Sequence, residues 1–110
     1  MVTVYVLTTD EDLAVALIQW LRQHDHMCVR RFVASSRPGH DDMVMASGRD
    51  CPPAFCTQLA DAGVRVIVLV PSPRTTEHEQ YLRAGATAYL PMVLDFSSLI
   101  EALRDGAPGA

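Results

Sequence analysis

The sequence predicts a single α/β domain: a doubly wound parallel sheet with helices on both faces. Two apolar runs carry that prediction. Val2 to Leu7 and Val64 to Val70 lack the in-out alternation of a half-exposed strand, so each suits a strand buried on both faces. The third observation is order. Short apolar runs alternate with amphipathic stretches along the chain as β-α-β-(loop)-β-α-β-α-β-α, the order that βαβ units produce. A length of 110 residues is enough for one hydrophobic core.

Each element has its own local reason. After Val2–Leu7, Thr8, Thr9 and Asp10 supply turn and N-cap chemistry, and Glu11 and Asp12 add acid where a helix dipole favours it. Leu13, Leu17, Trp20 and Leu21 then recur at helical spacing up to about Gln23. Met27 to Val33 reads as a strand, and Arg30 and Arg31 place it at an edge. Pro38-Gly39 breaks the stretch up to Asp42, so the second helix of the pattern is shortened or lost. Met43 to Ala46 is a strand, "SGRDCPP" a loop, and Ala54 to Ala62 a short helix closed by Gly63. Val64–Val70 is the most strand-like stretch. A helix over about Thr75–Ala84 follows, closed by Gly85, then a strand over Ala86–Leu90 stopped by Pro91. Asp95 caps a last helix, Phe96–Arg104. Residues 1–106 read as the domain, and 107–110, "APGA", as a linker or chain end.

Composition excludes several function classes. At 49% hydrophobic and 20% charged the chain is globular rather than disordered. Its net charge of −4 and the single basic pair Arg30-Arg31 argue against direct nucleic acid contact by this domain. No apolar run reaches membrane-spanning length and no basic-then-apolar leader opens the chain, so the expected setting is cytoplasmic, with no membrane partner. Cys28, Cys51 and Cys56 are odd in number and lack zinc-finger spacing, so they read as thiols in a reducing compartment. His24 and His26 near Cys28 leave room for a fortuitous metal site, but no metal and no cofactor is expected. Ser47-Gly48 at a strand end invites a nucleophile reading with His40 or His78 as base, although nothing in the sequence fixes either histidine beside Ser47. No glycine-rich loop follows the first strand, and the acidic "TTDED" would repel a phosphate, against dinucleotide binding.

The run "VRVIVLV…YLRAGATAYLPMVLDFSSLIEALR" resembles the receiver domain of bacterial two-component response regulators, as do the first strand and helix. The resemblance implies a flavodoxin-like (CheY-like) five-stranded parallel sheet of order 2-1-3-4-5. Receiver chemistry transfers a phosphoryl group to an aspartate. An acidic pair after strand one holds Mg²⁺, and a hydroxyl residue on strand four and a lysine on strand five hold the phosphoryl oxygens. This chain departs at each of these places: Thr8 and Thr9 replace the acidic pair, with Asp10 one place late. Ser47 stands at the phosphoacceptor position, Val70 at the hydroxyl position, and Met92 at the lysine position, followed by Val93. Two uncharged threonines are poor Mg²⁺ ligands, and Val70 and Met92 cannot hydrogen-bond a phosphoryl oxygen.

The resemblance therefore implies an atypical, phosphorylation-independent receiver, a non-enzymatic signalling and dimerisation module. Its commonest context is the N-terminal regulatory domain of a transcriptional regulator, where DNA is met only through a further domain. Two alternatives stay open: a phosphotransfer-competent or other flavodoxin-like enzyme domain using Asp10 and Asp50, and a stand-alone protein-binding module. The family's output face is built from its fourth helix, fifth strand and fifth helix, here Thr75–Ala84, Ala86–Leu90 and Phe96–Arg104. Tyr89 matches the aromatic that swings between buried and exposed positions. Tyr89 and Leu94 would supply apolar area for a homodimer, and Arg83, Asp95, Glu101 and Arg104 complementary charge. Met45, Val70 and Met92 are expected to line the former phosphate pocket, filled by their own side chains or open to a small apolar effector.

Overall fold

A computed structural model of the chain describes residues 3–24 and 28–91. The described elements run β1 (Thr3–Leu7), α1 (Glu11–His24), β2 (Cys28–Arg31), β3 (Met43–Ser47), α2 (Pro53–Asp61), β4 (Arg65–Val70), α3 (Thr75–Arg83) and β5 (Ala88–Pro91). The strands form one five-stranded sheet of order β2-β1-β3-β4-β5, every neighbouring pair parallel. This is the flavodoxin-like order expected from the sequence.

Strand alternation sorts the core into two layers. On one face Val4, Val6, Met43, Met45, Ile67 and Leu69 pack with Ala14, Leu17, Trp20 and Leu21 of α1. On the other, Val44, Ala46, Val66, Val68, Val70 and Tyr89 pack with Cys56 and Leu59 of α2 and Tyr81 of α3. All five residues of β3 are buried, as a central strand covered on both faces requires. Each buried Met, Ile or Val side chain contributes about 1.5–3 kcal/mol relative to exposure. At the edge, Arg31 makes a two-pronged ion pair with Glu11, Nη1 to Oε2 at 2.8 Å and Nη2 to Oε1 at 2.6 Å. That pair ties β2 to the first turn of α1, and the guanidinium holds the Glu11 carboxyl below its ordinary range.

Several boundaries differ from the sequence reading, among them β5, which runs through Pro91 rather than stopping before it. β2 ends at Arg31 rather than Val33, because the Val33 N–H turns away to the Ser36 hydroxyl at 2.9 Å. The stretch from there to Asp42 contains two turns and no helix, so the second helix is lost. β5 begins at Ala88 rather than Ala86. The Ala86 N–H instead donates to the Tyr81 carbonyl at 2.9 Å, and Gly85 N–H to Leu82 at 3.1 Å. These two bonds close α3 in a Schellman turn with Gly85 at φ 101°. α2 ends the same way, with Val64 N–H on Leu59, Gly63 N–H on Ala60 and Gly63 at φ 82°. The predicted last helix, with Met92, Val93, Leu94, Asp95, Glu101 and Arg104, lies outside the described residues.

A Cβ at position 85 would lie 2.6 Å from the Ala60 Cβ, in a backbone conformation that side chains rarely adopt. Gly85→Ala should therefore lower stability to urea by about 1–3 kcal/mol. Gly39→Ala, where the nearest atom is 3.8 Å away, should change it little. Equal effects at both positions would contradict the Schellman assignment.

Candidate functional site

The carboxyl ends of β1, β3 and β4 meet beside the point where strand order reverses, the usual ligand position of an open α/β sheet. Two loops leave from there in adjacent register, since Leu7 pairs with Ala46 at the ends of β1 and β3. A depression of about 210 Å³ between them is lined by Thr8, Thr9, Asp10, Ser47, Arg49, Asp50 and Pro71.

Asp50 organises this depression. Its Oδ2 accepts the Ser47 hydroxyl at 2.6 Å, the Thr9 backbone N–H at 2.9 Å and the Thr9 hydroxyl at 3.3 Å. The turn that brings Asp50 back is closed by its own N–H and that of Cys51, both donating to the Ser47 carbonyl at 3.0 and 3.1 Å. Partial burial pushes the Asp50 carboxyl up, but the bonds from Ser47 and Thr9, with the nearby Arg49 charge, outweigh it and hold the group below its ordinary value. The carboxylate therefore stays ionised while serving as a clasp between two loops.

Asp10 is engaged differently. Its Oδ1 accepts the Leu13 N–H at 3.2 Å and its own N–H donates to Thr8 Oγ1 at 3.1 Å, so Asp10 is the N-cap of α1. Among the described residues no group of three or more His, Cys, Asp or Glu side chains could hold a metal ion. Cys51 and Cys56 are buried, and burial pushes the Cys51 thiol up to about 12, which leaves it inert as a nucleophile. Ser47 is 6% exposed, and neither histidine named for it stands beside it. His40 pairs with Asp41 at 3.0 Å ahead of β3, and His78 stacks on Tyr89 at 5.1 Å. Of the proposed Cys28, His24 and His26 cluster, His26 and the His24 side chain lie outside the described residues.

The expected apolar lining is not formed. Met45 belongs to the α1 layer and Val70 to the opposite layer. Met45 pairs with Ile67, and Val70 lies an odd number of residues beyond it, so the side chains point to opposite faces. Val70 is 4% exposed and fits against Gly48, where a Cβ would come within 2.7 Å of Val70 Cγ1.

Tyr89 takes the inward position. It is buried, its hydroxyl donating to Glu77 Oε1 at 2.6 Å and accepting the Arg74 N–H at 3.2 Å. It therefore supplies no apolar area to a partner in this state. Leu82 is half-exposed on α3. Arg83 is exposed in the last turn of the same helix. Tyr81 is the residue beside the site that the sequence reading missed. Its ring stacks on Tyr89 at 5.5 Å, and its hydroxyl is shared between the carbonyls of Cys51 at 2.8 Å and Gly48 at 3.1 Å. That fastens α3 to the loop after β3, and burial pushes the Tyr81 hydroxyl up to about 12. A lone aromatic in a helix as polar as "TTEHEQYLR" was its signal.

Against known proteins, no family model matches and no curated protein matches. Solved structures do. The signal receiver domain of a DNA-binding response regulator from Colwellia psychrerythraea matches with a TM-score of 0.80 at 16% identity, over 94% of this chain and 96% of that one. The chain has the receiver fold. A response regulator receiver protein from Pseudoalteromonas atlantica matches with a TM-score of 0.79 at 15% identity, over 94% and 95% of the two chains. A protein assigned to pilus assembly (cpaE) from Burkholderia thailandensis matches with a TM-score of 0.79 at 18% identity, over 96% and 98%. Receiver folds thus occur in DNA-binding regulators and in a pilus-assembly protein alike. None of the described helices is long and apolar enough to cross a membrane.

The clasp has an energetic consequence. Asp50→Ala removes the acceptor of three donors, the Ser47 one partly buried, and should cost about 1–3 kcal/mol in urea unfolding at neutral pH. With Ser47→Ala the losses should be less than additive, by about 0.5–2 kcal/mol. Strict additivity would mean that the two side chains do not interact.

Proposed function

We propose that this chain is a phosphorylation-independent receiver domain, a non-enzymatic signalling and dimerisation module of a cytoplasmic regulator. The observation that supports it most is the Asp50 carboxylate, which draws the Thr9 and Ser47 donors to itself where a receiver would place metal and phosphate. Serine at the acceptor position cannot form an acyl phosphate, and Val70 offers a phosphoryl oxygen no hydrogen bond. All nine basic residues of the chain are arginine, so no lysine exists anywhere to take the conserved role of point charge on the phosphoryl group. The enzymatic alternative needs Asp10 and Asp50 as ligands or acids, and both are committed to internal hydrogen bonds.

With phosphate control gone, output rests on a change of partner. We infer self-association through α3, β5 and the segment after it, with Leu82 as apolar contact and Arg83 among the charges that set register. Solved receiver folds in DNA-binding regulators favour the context of a transcriptional regulator's N-terminal domain.

One experiment tests both parts. The protein is incubated with acetyl phosphate and Mg²⁺, weighed intact, and sedimented at rising concentration. The expected result is an unchanged mass and a concentration-dependent dimer that treatment does not alter. A stable phosphoryl adduct, or association that appears only after treatment, would overturn the proposal.

A further inference from the structure

Among the described residues, three crossovers between parallel strands carry a helix, α1, α2 and α3. The crossover from β2 to β3 does not. In the layer where a doubly wound fold places a helix over β1, the chain instead runs irregularly through residues 32–42. Phe32 starts this segment, its ring edge-on to Tyr5 at 6.0 Å and to Phe55 of α2 at 5.9 Å. Between the segment and α2 remains a groove of about 420 Å³, with Phe32 and Pro38 on one wall and Phe55 and Leu59 on the other. Both phenylalanines are half-buried, and Val33 beside them is 52% exposed. Such a cluster of partly covered aromatics is the composition of an interface centre rather than of ordinary surface.

Charge names the occupant. Arg37 lines the groove, its Nη1 held by the carbonyls of Ala34 at 3.0 Å and Ser36 at 2.9 Å. Arg30 pairs in register with Tyr5 and so shares its face of the sheet. No aspartate or glutamate lines the groove, although the chain as a whole carries a net charge of −4. We propose that the groove receives an amphipathic helix of a partner protein, its apolar stripe flanked by acidic residues. Side chains at i and i+3 or i+4 would enter between Phe32 and Phe55, and the acids would meet Arg37 and Arg30. A helix fits because the vacant place lies beside α2 in a layer otherwise built of helices. A second copy of this chain fits less well, because among the described residues α1, α2 and α3 turn most of their apolar side chains into the two core layers. This inference stands independently of the phosphorylation reading.

The test selects peptides from a display library of helices in which the apolar stripe is fixed and the flanking positions are randomised. Recovered peptides are then titrated into protein carrying ¹⁹F-labelled phenylalanine, with Phe32→Leu and Phe55→Leu assigning the resonances. The expected peptides are rich in Asp and Glu, shift the Phe32 and Phe55 signals, and bind at least tenfold more weakly to Arg37→Glu, a change at an exposed position. Lysine-flanked versions of the same peptides should recover affinity for Arg37→Glu. Recovery of neutral or basic peptides, binding that leaves both signals unmoved, or no enrichment at all would each overturn the proposal. So would a dimer of the protein itself that Phe55→Glu dissolves, since that would make a second copy the occupant.

Discussion

The arrangement at the carboxyl end of this sheet depends on one carboxylate. Asp50 reaches back from the loop after β3 and accepts three hydrogen bonds from Ser47 and Thr9. It thereby joins two loops that are 41 residues apart in sequence. Hydrogen bonds to an ionised acceptor are among the stronger ones available to a protein. Here they satisfy the polar groups that two strand ends would otherwise present to a ligand. The helix start is settled separately, by Asp10 on Leu13 and Thr8 on Asp10. The acidic side chains near the site thus have structural work that competes with metal binding.

The clasp is part of a longer chain of contacts. The loop after β3 is held from one side by Asp50 and from the other by Tyr81, whose hydroxyl reaches the carbonyls of Cys51 and Gly48. Tyr81 in turn stacks on Tyr89, which stacks on His78 and is bonded to Glu77 and Arg74. The site and the face of α3 and β5 are therefore joined through packed rings and buried hydroxyls. A device of this kind holds one arrangement without an external ligand.

Much of the fold was legible in local chemistry. Apolar runs, Gly63, Gly85 and the Pro38-Gly39 break placed the strands, the helix ends and the missing helix, because each acts on its own few residues. The start of β5 was not legible, since Ala86 is apolar on account of the Schellman turn that it completes rather than of a strand. The site divided in the same way. The cap at Asp10 could be read from its own few residues. The clasp could not, because it depends on how two distant loops meet, although the Ser47-x-x-Asp50 spacing is that of a side-chain-closed turn. The pairing of Met45 with Val70 failed for a simpler reason, a matter of strand parity.

The most direct measurement follows the Thr9 amide proton by NMR as the pH is lowered. A carboxyl held below its ordinary value stabilises the fold above the ordinary carboxylate range and loses that contribution as the pH falls through its folded value. The Thr9 resonance should therefore hold at neutral pH and change only as Asp50 titrates, below the ordinary carboxylate value of about 4. It should then move upfield with the Asp50 side-chain carbonyl at a lower midpoint, with or without Mg²⁺. An amide that titrates at or above the ordinary carboxylate value, or that shifts saturably on addition of Mg²⁺ at neutral pH, would show the carboxylate free to bind metal and would contradict the account.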